Sequence, residues 1–247
     1  MLPLPDIKYM KGSEIAPLTL TPTQEQICSL IISVSRFFFL KKVFINIPFR
    51  GFLLEGPPGN GKTEIAKQAA RRLDLELGNV FLVFIDTAEI AEPRWGEAEK
   101  KLRNVFNLAE KINGRVILLF DDIDCLAIRR GAEVAKEWHY SINALIFHEL
   151  DKINPRKCIV IATTNQPSLI DPGLRSRLFS IKVPSLPIDE LREIAYRLII
   201  ESVDDKTLAE MIIRSVVTQL KEMKQPSIRD VQHLIIKECI NKGVWLL

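Results

Sequence analysis

The chain has four cysteines, Cys28, Cys125, Cys158 and Cys239, and none sits at the paired spacing of a metal site. Cys125 and Cys158 flank expected core strands, which fits reduced thiols and an expected cytoplasmic setting. No long hydrophobic run is present. Residues 27–40 are apolar, but Arg36 breaks them and the stretch is too short for a bilayer, so no membrane partner is expected. Residues 1–10 hold two prolines and an acid where a secretory leader needs a basic start and an apolar run, so no leader is expected. A net charge of +3 does not by itself argue for nucleic acid. The basic pairs (Lys41-Lys42, Arg71-Arg72, Lys100-Lys101 and Arg129-Arg130) carry no interleaved aromatics and read as solvated helix faces. Internal repeats and low-complexity segments are also lacking.

What is present is more specific. Gly56-Pro-Pro-Gly-Asn-Gly-Lys62-Thr63 fits G-x-x-x-x-G-K-[ST] at every position. Such a loop turns successive backbone N–H groups inward around phosphates. Gly56, Pro57, Pro58, Gly59, Asn60 and Gly61 would form the cradle. Lys62 would reach the β- and γ-phosphates, and the Thr63 hydroxyl would ligate Mg²⁺. Gly51-Phe-Leu-Leu-Glu55 reads as a short buried strand, and residues 63–73 read as an amphipathic helix. The N-terminus of that helix adds its dipole to the phosphate site. The ligand these residues predict is a nucleoside triphosphate.

A second element makes hydrolysis chemically reasonable. Val116-Ile-Leu-Leu-Phe120 is a continuous apolar run, as expected of a central parallel strand, and it ends in Asp121-Asp122-Ile123-Asp124. Three carboxylates at the end of a buried strand repel one another and need a counter-charge. A metal ion held jointly by Thr63 and Asp121 would supply it. Asp122 is placed to orient and deprotonate the attacking water, and Asp124 reads as a helix N-cap.

The chain is long enough for one nucleotide-binding domain with a small lid. Residues 1–22, with four prolines, read as an extended N-terminal arm, and residues 23–42 as a helix. Strands are expected at 80–85, 158–165 and 179–183, and helices at 97–111 and 134–150. This alternation predicts a parallel sheet with crossover helices over residues 23–185. Pro184 and Pro187 then punctuate the boundary to an all-helical domain at 186–247.

From about residue 45 onward the chain resembles the AAA+ ATPases, on four further segments. The resemblance implies an α/β P-loop NTPase with a five-stranded parallel sheet flanked by helices. It also implies a helical lid, ATP at their junction, and Mg²⁺. Ile-Leu-Leu-Phe-Asp-Asp-Ile-Asp124 resembles the Walker B strand, with Asp122 where glutamate is usual. An aspartate is one methylene shorter, so slow hydrolysis is one expectation. Cys158-Ile-Val-Ile-Ala-Thr-Thr-Asn165 resembles the strand whose terminal asparagine polarises the attacking water, a role this gives to Asn165. Leu169-Ile-Asp-Pro-Gly-Leu-Arg175-Ser-Arg177 resembles the segment that supplies arginine fingers to a neighbouring subunit. Arg177 is the expected finger and Arg175 its partner, which implies a site shared between subunits. Gln225-Pro-Ser-Ile-Arg229 resembles the lid segment whose arginine contacts the γ-phosphate, with Ser227 the N-cap.

The same resemblance implies a ring oligomer, a hexamer in the first of three functional classes. In that class the ring remodels protein complexes, and the segment around Arg94 and Trp95 is similar to a pore loop that grips polypeptide. In the second, the chain is a DNA-handling ATPase related to initiators, helicase loaders or clamp loaders. A slow, nucleotide-gated scaffold is the third.

Overall fold

Strands that are apolar on both faces need cover on both faces. Gly51-Phe-Leu-Leu-Glu55, Val116-Ile-Leu-Leu-Phe120 and Cys158-Ile-Val-Ile-Ala-Thr-Thr164 meet that description, and each is buried along its length. The computed structural model describes residues 8–40, 49–91, 96–129, 131–132, 137–203 and 205–243. Among these, six strands form one sheet: β1 (Lys8–Lys11), β2 (Gly51–Glu55), β3 (Val80–Asp86), β4 (Arg115–Asp121), β5 (Cys158–Thr164) and β6 (Phe179–Lys182). Their order is β1-β3-β4-β5-β2-β6. Five of them, β3, β4, β5, β2 and β6, run parallel to one another as expected.

The sixth strand was not expected. β1 lies inside the segment read as an extended arm and pairs antiparallel with β3, from Lys8 opposite Phe84 to Lys11 opposite Phe81. It closes one edge of the sheet with a four-residue strand bearing a lysine at each end, which discourages further strand addition.

β2 and β3 are consecutive in sequence, yet β5 and β4 lie between them. Strand order therefore reverses at β2, and the crevice at the carboxyl ends of the strands opens there. Glu55 is level with Thr164, and Asp86 with Asp121, at those ends.

The chain divides into two units. One takes Met1–Thr19, Gln26–Gly56 and Lys62–Lys182, and contains the sheet with α2 (Lys62–Leu77), α3 (Thr87–Ile90), α4 (Glu97–Lys111), α5 (Glu137–Lys152) and α6 (Pro172–Arg175). Its core joins Leu53, Leu118 and Val160 of the strands to Leu102 and Val105 of α4 and Ile142 of α5. The other takes Leu20–Glu25, Pro57–Gly61 and Val183–Leu247, and contains α7 (Ile188–Ile200), α8 (Lys206–Glu222) and α9 (Ile228–Asn241). Leu191, Ala195 and Ile199 recur every four residues and make one stripe of α7. That stripe belongs to the same core as Val216 of α8 and Val231 of α9. A further helix, α1 (Pro22–Leu40), begins in the second unit and continues in the first. Among the described residues no helix is long and apolar enough to cross a membrane.

One buried carboxylate fastens three parts of the first unit. Asp74 of α2, 4% exposed, accepts hydrogen bonds from the N–H of Ser13, 2.8 Å, just after β1, and of Val80, 2.9 Å, at the start of β3. Burial pushes its proton affinity up, but the hydrogen bonds from Val80 and Ser13 more than offset this and hold the carboxyl below its ordinary 3.8. Asp74→Ala removes the acceptor of both N–H groups and should cost about 2–4 kcal/mol in urea unfolding. Because the folded-state value is depressed, the contribution of Asp74 is complete above pH 3.8 and falls as the pH drops through the lower folded value. Stability of the variant should lack that component of acid dependence.

Candidate functional site

The carboxyl ends of β2, β4 and β5 bring the sequence-expected residues of the first unit together. Lys62 opens α2 and is buried, 6% exposed. A buried ammonium needs hydrogen-bond acceptors, and its Nζ donates to the Gly56 carbonyl at 2.8 Å and to Asn165 Oδ1 at 2.5 Å. Asn165, one residue beyond β5, passes the connection on: its Nδ2 donates to Asp122 Oδ1 at 2.8 Å. Lys62, Asn165 and Asp122 thus form one hydrogen-bonded chain. Gly56 is held to the same strand end through its N–H, 3.3 Å from the Thr164 carbonyl.

A second chain passes through Asp121. The Thr63 hydroxyl donates to Asp121 Oδ1 at 2.6 Å, and the Thr163 hydroxyl donates to the same oxygen at 2.7 Å. Thr163 also accepts the Asp122 N–H at 2.9 Å, so one hydroxyl fixes both aspartates. Thr87, at the start of α3 and fully buried, places its hydroxyl 2.7 Å from the Asp121 carbonyl and 2.6 Å from the Asp122 carbonyl. These contacts hold Asp122 in the left-handed region, at φ 52° and ψ 53°. Sequence reading missed the roles of Thr87 and Thr163. The one available signal was Thr163 itself, one of two threonines closing an otherwise apolar strand.

The Asp122 carboxyl has its proton affinity raised, first by burial and then by the charges of Asp121 and Asp124, against the opposing Lys62 ammonium. Asp124, expected as a helix N-cap, instead lies inside the 3₁₀ turn Ile123–Cys125. Its Oδ1 is buried without a hydrogen-bond partner among the described residues.

Arg175 and Arg177 engage other groups of the same chain. Arg175 donates to Glu55 Oε1 at 2.6 Å, next to the phosphate loop in sequence. Arg177 grips Asp151 with two parallel bonds of 2.9 and 2.8 Å, donates to the Gly173 carbonyl at 2.9 Å and lies 4.9 Å over the Phe147 ring. The hydrogen bond from Arg177 is the chief reason that Asp151 is held below its ordinary proton affinity. Nothing in sequence marked Asp151 or Glu55 as partners.

In the second unit Ser227 caps α9 in a reciprocal box with Asp230, as the N-cap expectation required. Its neighbour Arg229 lies beside the loop: a Cβ added at Gly59 would stand 3.2 Å from Arg229 Cβ. Gly59 and Gly61 have φ of +77° and +80°, the left-handed conformation in which glycine is unstrained. The amide of Asn60, 1% exposed, has no hydrogen-bond partner among the described residues at either polar atom. Arg94 and Trp95, expected in a pore loop, lie outside the described residues.

Residues 52–185 match the family described as "ATPase family associated with various cellular activities (AAA)". A cell division cycle protein 48 homolog of Archaeoglobus fulgidus is 37% identical over 128 residues, which are 51% of this chain and 17% of that protein. An "AAA ATPase forming ring-shaped complexes" of Corynebacterium kroppenstedtii is 33% identical over 174 residues, 66% of this chain and 30% of that protein. The chain therefore spans less than a third of either relative. Among solved structures, a chain of the HORMA:CdnC:Trip13 complex of E. coli MS115-1 superposes with a TM-score of 0.65 over 88% of this chain and 89% of its own, at 16% identity, a likeness of fold. With the phosphate loop, the paired aspartates and Asn165 on the strand ends that the matched region supplies, the chain belongs to the AAA family of ATPases.

Proposed function

We propose that the chain binds ATP with Mg²⁺ and hydrolyses it as one subunit of a ring, and that the ring remodels protein complexes. The observation that carries the chemistry is the linkage of Lys62, Asn165 and Asp122 in one hydrogen-bonded chain beside the pair Thr63 and Asp121. The residues fit the ligands. The left-handed glycines and the unpartnered Asn60 amide suit a loop that takes up phosphate. The Thr63 hydroxyl and the Asp121 carboxylate are adjacent hard oxygen donors of the kind Mg²⁺ prefers. When bound, that ion neutralises charge on the phosphates.

The remaining roles fall to the chain's own groups. Lys62 binds phosphate, and Asn165 fixes the Asp122 carboxylate so that one oxygen remains for a water proton. A raised proton affinity brings Asp122 nearer to the range of a working general base. Arg229 is assigned the second cationic contact to the terminal phosphate. Arg175 and Arg177 are assigned to a neighbouring subunit's nucleotide. Of the two, Arg175 is the freer: its side chain is 45% exposed and its carboxylate bond is single, whereas Arg177 is 29% exposed and held twice by Asp151. Arg175 is therefore proposed as the finger and Arg177 as its support, the reverse of the sequence expectation. The ring itself is supported by the corynebacterial relatives named for ring-shaped complexes.

Steady-state ATPase rate across a protein concentration series tests this reading. A rate per subunit that rises cooperatively is expected, with further stimulation by an unfolded polypeptide. Stimulation by single-stranded DNA alone would favour a DNA-handling role. Lys62→Ala should abolish ATP binding in isothermal titration; unchanged affinity would remove the site assignment. Asp122→Asn should retain ATP and lose at least about 100-fold in turnover, as expected on removing a general base. Arg175→Ala should bind ATP normally and hydrolyse it at least about 1,000-fold more slowly. Activity should return when that variant is mixed with Lys62→Ala subunits, and the absence of rescue would argue against a shared site.

A further inference from the structure

The phosphate loop is held from outside by two donors in its own unit. All described peptide bonds are trans, so each carbonyl points opposite to the N–H that follows it. The Asn60 carbonyl accepts from Gln24 Nε2 at 3.1 Å, and the Gly59 carbonyl accepts from the Ile228 N–H at 3.1 Å. With both carbonyls taken up this way, the N–H groups of Gly61 and Asn60 are turned away from those donors. The fit is close: a Cβ at Gly61 would stand 2.5 Å from Gln24 Nε2, and one at Gly59 would stand 2.7 Å from Ser227 Oγ.

Gln24 is itself fixed. It is 4% exposed, its Oε1 accepts the Thr21 N–H at 3.0 Å, and its own N–H lies 3.4 Å from Thr21 Oγ1. The cap it forms with Thr21 uses the amide oxygen and leaves the amide nitrogen for the loop. One residue on, Thr23 donates its hydroxyl to Glu190 of α7 at 2.6 Å, which anchors this turn to the helical unit.

From this arrangement we infer that Gln24 is a positioning residue for nucleotide binding. Its side-chain N–H holds the Asn60 carbonyl and thereby aims the Gly61 N–H at the phosphates. A loop set in this way before the ligand arrives binds more tightly, because less ordering accompanies binding. The inference rests on the phosphate-binding reading of residues 56–63 and adds to it a residue 32 positions upstream of Gly56.

Two substitutions separate this role from capping. Gln24→Glu keeps an oxygen for Thr21 and removes the donor; Gln24→Met removes the donor without adding charge. Isothermal titration with ATP and with inorganic tripolyphosphate, alongside thermal unfolding of nucleotide-free protein, gives the readout. Both ligands should bind about tenfold more weakly to both variants, as for one lost neutral hydrogen bond. Both variants should still unfold in one cooperative transition, at a lowered midpoint because the buried Asn60 carbonyl loses its donor, so affinity is read on folded protein. Wild-type affinity in either folded variant would overturn the proposal, as would weaker ATP binding with tripolyphosphate unaffected, since the defect would then lie away from the phosphates. A wild-type chain that binds neither ligand would overturn the nucleotide reading itself, and this inference with it.

Discussion

Because β5 hydrogen-bonds β4 on one side and β2 on the other, three strand ends that are distant in sequence are forced level with one another. A slip of one residue would turn every side chain to the opposite face and into a differently shaped neighbourhood, and would part the polar strand ends. The strands are apolar on both faces, so the cover on each face resists such a slip. Everything polar at the site is hung on this register. Asn165 follows β5, Asp121 ends β4, and Gly56 follows β2, and the side chains that connect them are short. A threonine hydroxyl or an asparagine amide bridges them only when the backbones are already in place.

The electrostatic arrangement follows from the same crowding. Three carboxylates and an ammonium share a partly buried strand end, and each carboxylate is treated differently. Asp121 receives two hydroxyl donors on one oxygen. Asp122 is pushed toward protonation by burial and by its neighbours and is steadied through Asn165. Asp124 keeps a buried oxygen without a partner among the described residues. Neutral donors do most of the organising. Thr87 and Thr163 between them touch both carbonyls, one N–H and one carboxylate of the Asp121–Asp122 pair.

The parallel core and the first-unit site were largely legible in sequence because they depend on local signals. Long apolar runs ending in Asp121 or Thr164 can only be central strands, and the glycine pattern of residues 56–63 has a geometric reason at each position. β1 was not legible. Lys-Tyr-Met-Lys has no two-residue alternation, and its pairing with β3 is a contact over some seventy residues that no local pattern encodes. The arginine pairs were hidden for a similar reason. Arg175 meets Glu55, and Arg177 meets Asp151, across large sequence separations, so the expectation from Leu-Arg-Ser-Arg, with Arg177 ranked first, took no account of either carboxylate. Gln24 lies in a helix as expected, but its contact with Asn60 spans 36 residues and no local pattern marks it.

The backbone at Asp122 has one further consequence. A non-glycine residue at φ 52° costs on the order of 1 kcal/mol or more relative to a relaxed conformation. Selection for thermal robustness alone would therefore favour glycine there, which would relieve the strain and the carboxylate repulsion together. Asp122 thus carries a carboxylate at a position where folding would be easier without one. At this turn the proposed chemical task and the durability of the fold pull the same residue in opposite directions.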